Sequence, residues 1–95
     1  MLKREGETLV LEGALTLDTV PELAAAAQEH LLGGADAVDF SRVTEVDSAA
    51  VALALEWLRV ARSVGVDLRL VNLPASMQNL ATLYGVSELI QPASA

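Results

Sequence analysis

Val38-Asp39-Phe40-Ser41-Arg42-Val43-Thr44-Glu45-Val46-Asp47-Ser48-Ala49-Ala50-Val51 is the stretch on which the fold turns. Its first part, Ala37 to Ser41, is β-prone and too short for a helix between its breakers, so it predicts a strand. Arg42 to Val46 reads as a loop. Asp47 or Ser48 then caps a long aliphatic helix from Ala49 to about Ser63, stopped at Gly65, because both residue types offer a side-chain oxygen to the unpaired N–H groups of a first helical turn.

Upstream, Thr8 to Glu12 is bounded by Gly6 and Gly13 and predicts a strand, paired through a Gly6-Glu7 turn with Leu2 to Glu5. Thr19-Val20-Pro21-Glu22 has capping-box spacing and opens a helix that runs to about Leu32, where Gly33-Gly34 ends it. Downstream, Asp67 to Val71 predicts a strand closed by Asn72 and Pro74, and Ala75 to Tyr84 a third helix followed by Gly85. The tail from Val86 carries no clear pattern. The order β-β-α-β-α-β-α implies two right-handed crossovers and an α/β fold: a mixed sheet of about four strands with the helices packed on one face.

The composition sets the frame for function. Ala, Leu and Val supply 44 of the 95 residues while Phe, Tyr and Trp occur once each, so the core is aliphatic and one compact domain over residues 1–95 is expected. Thirteen acids against six bases give a net charge of -7. That charge repels phosphate backbones and anionic headgroups, which argues against nucleic acid as a partner and against direct membrane insertion. There are no cysteines, hence no disulfides, thiol nucleophiles or Cys-based metal sites, and a reducing compartment fits. No apolar stretch follows the charged start Met1 to Glu7 as in a signal peptide, and no window reaches the roughly 18 continuous apolar residues of a membrane span. A soluble, cytoplasmic protein is expected.

Little in the chain points to catalysis or to a cofactor. There is no phosphate loop and no zinc-protease motif, and the single histidine, His30, stands near the exposed end of the first helix with no second ligand beside it. Asp36 and Asp39 flank a strand edge, a pattern more often solvated than catalytic. The long helix is more informative. Its apolar positions span an arc of about 220°, wider than a usual core stripe. Either it is flanked by a helix on each side or one flank receives a partner, and Trp57 fits a core position or an interface anchor equally well. Met77, Leu80, Ala81 and Tyr84 at helical spacing read as core. Ser48 is the residue of interest: unpaired N–H groups and the positive end of the helix dipole converge there, favouring a hydroxyl, a phosphate or a partner's carboxylate.

The strand Val38 to Ser41, the following segment, Asp47-Ser48 and the aliphatic helix together resemble a STAS domain, the sulfate-transporter and anti-sigma-factor-antagonist fold, over nearly the whole chain. Val38-Asp39-Phe40-Ser41-Arg42-Val43, Val46-Asp47-Ser48 and Leu80-Ala81-x-Leu83-Tyr84 are most similar to the branch of small cytoplasmic STAS subunits that serve Mla-type phospholipid-transport ABC complexes. In that branch the hydroxyl residue after the Asp lies at the contact with the ATPase subunit; in the anti-sigma-factor antagonists the same position is a phosphorylated serine. Here Ala49-Ala50 stand where a Gly is usual soon after it, which weakens the kinase-switch reading.

The resemblance implies a non-enzymatic accessory subunit, without cofactor, that docks on the ATPase subunit of an ABC transporter and, through it, on the permease complex at the inner membrane. It supports the assembly or activity of that complex and so contributes to outer-membrane lipid asymmetry. Ser48 would centre the docking face, with Asp47, Ala49 and Ala52 around it and Arg42 and Thr44 on the preceding segment as outer candidates. The alternative is an anti-sigma factor antagonist with Ser48 as candidate phosphoacceptor. A small hydrolase or ligand-binding domain is the third class.

Overall fold

The computed structural model describes residues 2–90. The chain runs β1 (Leu2–Glu5), β2 (Thr8–Leu15), α1 (Val20–Leu32), β3 (Ala37–Val46), α2 (Ser48–Ser63), β4 (Arg69–Val71) and α3 (Ala75–Leu83). The four strands lie side by side in sequence order, β1 antiparallel to β2, and β2, β3 and β4 mutually parallel. Helices α1 and α2 pack against each other on the same face of the sheet, as two right-handed crossovers in the same direction require. There α2 packs between α1 and α3. The expected mixed sheet with helices on one face is therefore the observed one, and the wide apolar arc of α2 is used mostly by its two neighbours.

Strand pleating sorts the side chains. Leu9, Leu11, Val38, Phe40 and Leu70 point under the helices, where they meet Leu23, Ala27 and Leu31 of α1, Leu53, Ala54 and Trp57 of α2 and Met77 of α3. Residues one position along the strands, Lys3, Glu12, Asp39 and Arg69, occupy the opposite, helix-free face. The alanine-rich composition finds its use between the helices: Ala27 on α1 and Ala50, Ala54 and Ala61 on α2 are fully buried, and such small side chains allow close approach of helix axes. Trp57 is the largest core side chain, and its indole N–H has no acceptor among the described residues. Trp57 is thus core rather than an interface anchor.

All three helices end in the same way. The first residue after each helix cap is a glycine at positive φ (Gly34, Gly65, Gly85), and the next N–H reaches back to a carbonyl five residues earlier: Ala35 to His30 at 3.0 Å, Val66 to Ala61 at 2.9 Å and Val86 to Ala81 at 2.8 Å. This is the Schellman closure, which pairs otherwise orphan carbonyls.

Four expectations need correction. Arg42 to Val46 is strand rather than loop: β2 continues past Gly13 to Leu15, and Glu12, Gly13, Ala14 and Leu15 pair with Arg42, Val43, Glu45 and Val46. Two register shifts in this pairing leave β3 with extra residues, which breaks the side-chain alternation that a strand needs to be read from sequence. Second, Thr19 does not form a capping box. Its hydroxyl instead accepts from the Thr16 N–H at 3.0 Å and donates to the Ala14 carbonyl at 2.8 Å, closing the turn before α1. Third, β4 is three residues, Arg69 to Val71, so Asp67 and Leu68 precede it. Fourth, Tyr84 is not core: Met77 and Ala81 are buried and Leu80 is half-buried, whereas Tyr84 follows the helix and is 52% exposed.

Candidate functional site

The C-terminal ends of β2 and β3 deliver two connections to one place, the turn Thr16 to Thr19 and the start of α2. Asp47 joins them. Its Oδ1 accepts from the Ala49 N–H at 2.8 Å, which makes Asp47 the N-cap of α2, and its Oδ2 accepts from the Leu17 N–H at 3.0 Å. Its own N–H donates to the Leu15 carbonyl at 3.2 Å. A carboxylate with two oxygens at a helix N-terminus suits this double task, since each oxygen takes one backbone donor and the negative charge faces the positive end of the helix dipole.

Because Asp47 caps the helix, Ser48 does not. Ser48 is the first residue of α2 and its side chain is exposed. Ala49 is half-buried beside it, and Ala52, exposed, follows one turn along the same face of the helix. Asp47, Ser48, Ala49 and Ala52 therefore share one small-residue surface around the helix start. Thr44 is exposed on β3 three residues before the cap. Arg42 stands apart: it pairs in register with Glu12, on the face of the sheet opposite the helices, and its guanidinium lies 3.7 Å from the Glu12 carboxylate.

The residues missed in the sequence lie on the neighbouring turn. Leu17 is 73% exposed although its backbone is bound to Asp47. The turn that displays it is closed by Thr19: besides the bonds of its hydroxyl, the Thr19 N–H and the Val20 N–H both donate to the Thr16 carbonyl, at 3.0 and 2.9 Å. The available signal was a leucine set among Thr16, Asp18 and Thr19, an apolar residue in an otherwise turn-forming sequence between a strand and a helix.

Other polar groupings serve the scaffold. Asp39, on the open face of the sheet, accepts from the Ser41 N–H at 2.8 Å and from the Asn72 side-chain amide at 3.0 Å, which ties the end of β4 to β3. Partial burial pushes its carboxyl up, but the hydrogen bonds from Asn72 and Ser41 and the nearby Arg42 charge together outweigh this and hold it below its ordinary value. Asp36 lies 3.9 Å from Arg69. At the far end of α2, a groove of about 530 Å³ sets Arg62 and Arg69 together with Asp67 and Glu88 over Leu58 and Leu89, a mixture that selects no single sign of ligand. Among the described residues no three His, Cys, Asp or Glu side chains converge as a metal site, and no helix is long and apolar enough to cross a membrane.

Comparison with known proteins places this geometry. A family model described as the MlaB STAS domain matches residues 1–91. The chain is 31% identical over 87 residues to the intermembrane phospholipid transport system binding protein MlaB of Escherichia coli (strain K12), covering 92% of this chain and 89% of that protein. Among solved structures, the anti-sigma factor antagonist SpoIIAA in its unphosphorylated form superposes with a TM-score of 0.72 at 21% identity, covering 99% of this chain and 87% of that one. The Thermotoga maritima protein tm1081 gives 0.77 at 15% identity, covering 100% and 86%. At these identities the two structures speak for the fold alone.

Proposed function

Since the chain belongs to the MlaB-type STAS domain family, we propose that it is a non-enzymatic accessory subunit of a phospholipid-transport ABC complex. In this reading it acts as one STAS unit, binds the cytoplasmic ATPase subunit of an Mla-type transporter and supports the assembly or activity of the complex. It sits at the inner membrane only through its partners and contributes to outer-membrane lipid asymmetry. The docking face is the start of α2, centred on Ser48 with Asp47, Ala49 and Ala52, and with Thr44 and the more distant Arg42 outside it.

The observation that supports this most is the division of labour between Asp47 and Ser48. The helix cap is supplied entirely by Asp47, which leaves an exposed hydroxyl at the positive end of a helix dipole with small side chains around it. Such a surface admits close approach of another backbone. The relationship to MlaB favours a transporter partner over the anti-sigma reading, in which Ser48 would be phosphorylated; that alternative has the likeness of fold to SpoIIAA behind it.

The test measures thermal melting and capture of the cognate ATPase subunit for wild type, Ser48→Ala and Ser48→Glu. A glutamate at the first helical position is neutral or stabilising to the fold by about 0.3–1 kcal/mol. Buried in an interface without a counter-charge, the same carboxylate costs several kcal/mol. Ser48→Glu is therefore expected to fold normally and lose the ATPase subunit, while Ser48→Ala keeps it. Full capture by Ser48→Glu would move the docking face elsewhere. A wild-type protein that ignores the ATPase subunit would end the transporter reading.

A further inference from the structure

We propose that Leu17 is the apolar anchor of this docking face and that the surface receiving it on the ATPase subunit is an apolar pocket with a basic rim, an inference that rests on the docking reading above. Six large apolar side chains are exposed in the described structure. Five of them, Leu32, Val64, Leu83, Tyr84 and Leu89, stand at or beyond the C-terminal ends of the helices. Leu17 alone stands at the opposite end, where β2 and β3 finish and α2 begins, and it is bonded through its own N–H to the residue that caps the helix.

Its backbone is also fixed. Asp47 holds the Leu17 N–H, and the hydroxyl of Thr19, on the far side of the turn, ties back to the Thr16 N–H and the Ala14 carbonyl before it. An apolar side chain 73% open to water on a pinned turn has little backbone freedom left to lose, so binding recovers most of its desolvation gain. A residue that contributes to a core has no such arrangement, and one on a loose loop has no such preorganisation.

The charge around the anchor specifies the partner. Asp18 follows Leu17 directly, Glu22 lies in the first turn of α1, and Glu45 pairs in register with Ala14 at the end of β3. All three are exposed and none is in an ion pair among the described residues. In a chain of net charge -7, these acids stand on the segments next to the turn that bears the aliphatic side chain, and they complement lysine or arginine around a pocket. Arg42, on the same strand as Glu45, is paired with Glu12.

The experiment uses the full chain and the purified cognate ATPase subunit, with affinity measured for wild type, Leu17→Asp, Leu17→Met and Ser48→Glu and melting recorded for each. Leu17→Asp is expected to weaken binding by at least about thirtyfold, as for removal of a central anchor. Leu17→Met, which keeps volume and hydrophobicity, is expected to stay within a few-fold of wild type, and all variants to melt near the wild-type temperature. Affinity should also fall as salt rises from about 50 to 300 mM, because rim charges are screened. If Leu17→Asp binds as wild type does while Ser48→Glu fails to bind, the anchor is refuted and the docking face stands. If Leu17→Asp fails and Ser48→Glu binds fully, the anchor stands and the Ser48-centred reading falls. Absence of wild-type binding overturns both, and salt-independent affinity overturns the basic rim.

Discussion

Replacing Asp47 by Ala removes two hydrogen bonds at once, and their separate costs follow from the geometry. The bond to the Ala49 N–H is an N-cap, whose loss costs about 0.5–2 kcal/mol. The bond to the Leu17 N–H, at 3.0 Å and exposed, adds about 0.5–1.5 kcal/mol. Asp47→Ala should therefore destabilise by about 1–3.5 kcal/mol, and in a domain of this size each kcal/mol lowers Tm by about 4–8 °C. Asp47→Asn keeps one carbonyl oxygen to serve as cap and puts an amide where the second acceptor was, so it should fall between wild type and Asp47→Ala. Ser48→Ala removes no cap and should stay within about 0.5 kcal/mol of wild type. Urea and thermal unfolding of the four proteins decide the matter. The reasoning is refuted if Ser48→Ala costs as much as Asp47→Ala, or if Asp47→Ala melts with the wild type.

Further outcomes follow from other positions. Phe40, buried beneath the helices at the centre of the sheet, should cost about 3–5 kcal/mol when cut to Ala, measured by urea unfolding. Gly13→Ala should destabilise by about 1–2 kcal/mol from backbone strain alone, because φ is +90° there while an added Cβ meets nothing within 4 Å; Gly13→Asn, with a residue that better tolerates positive φ, should cost less. Asp39 has a folded-state pKa below its ordinary value of 3.8, so the unfolded chain takes up the proton first on acidification; its contribution is present above that value and lost as pH falls through the folded-state pKa. The stability gap between wild type and Asp39→Asn should accordingly narrow between pH 7 and pH 2.5, and a gap constant with pH would contradict the Asn72 and Ser41 contacts as its source.

Most of the fold was legible because local signals agreed with one another. Gly33-Gly34, Gly65 and Gly85 each stand where a helix must stop, and the aliphatic spacing of α2 matched both its cap and its length. What escaped detection depended on partners distant in sequence. Arg42 to Val46 becomes strand because β2 offers it backbone pairing beyond Gly13, and its exposed Arg42, Thr44 and Glu45 give no alternation to read. Thr19 has capping-box spacing, yet its hydroxyl is claimed by Ala14 and Thr16. Tyr84 continues the helical spacing of Met77 and Ala81 but falls after the helix ends, where the spacing no longer fixes a direction. At the site, Ser48 and Asp47 could be named but not told apart, since either suits a cap. Leu17 could not be placed at all: 30 residues separate it from Asp47, and only the folded chain brings its N–H to that carboxylate.

The single tryptophan turns the protein into its own optical probe. Trp57 belongs to the helix whose first residues form the proposed docking face, and its indole is buried in the apolar core with its N–H bonded to nothing among the described residues. An indole in such surroundings emits at short wavelength, and any loosening of α2 from α1 and α3 that admits water will shift that emission to the red. With no second tryptophan to confuse the signal, fluorescence recorded as an ATPase subunit without tryptophan is added will report whether docking leaves the helix seated in its core or lifts it, and no label has to be attached.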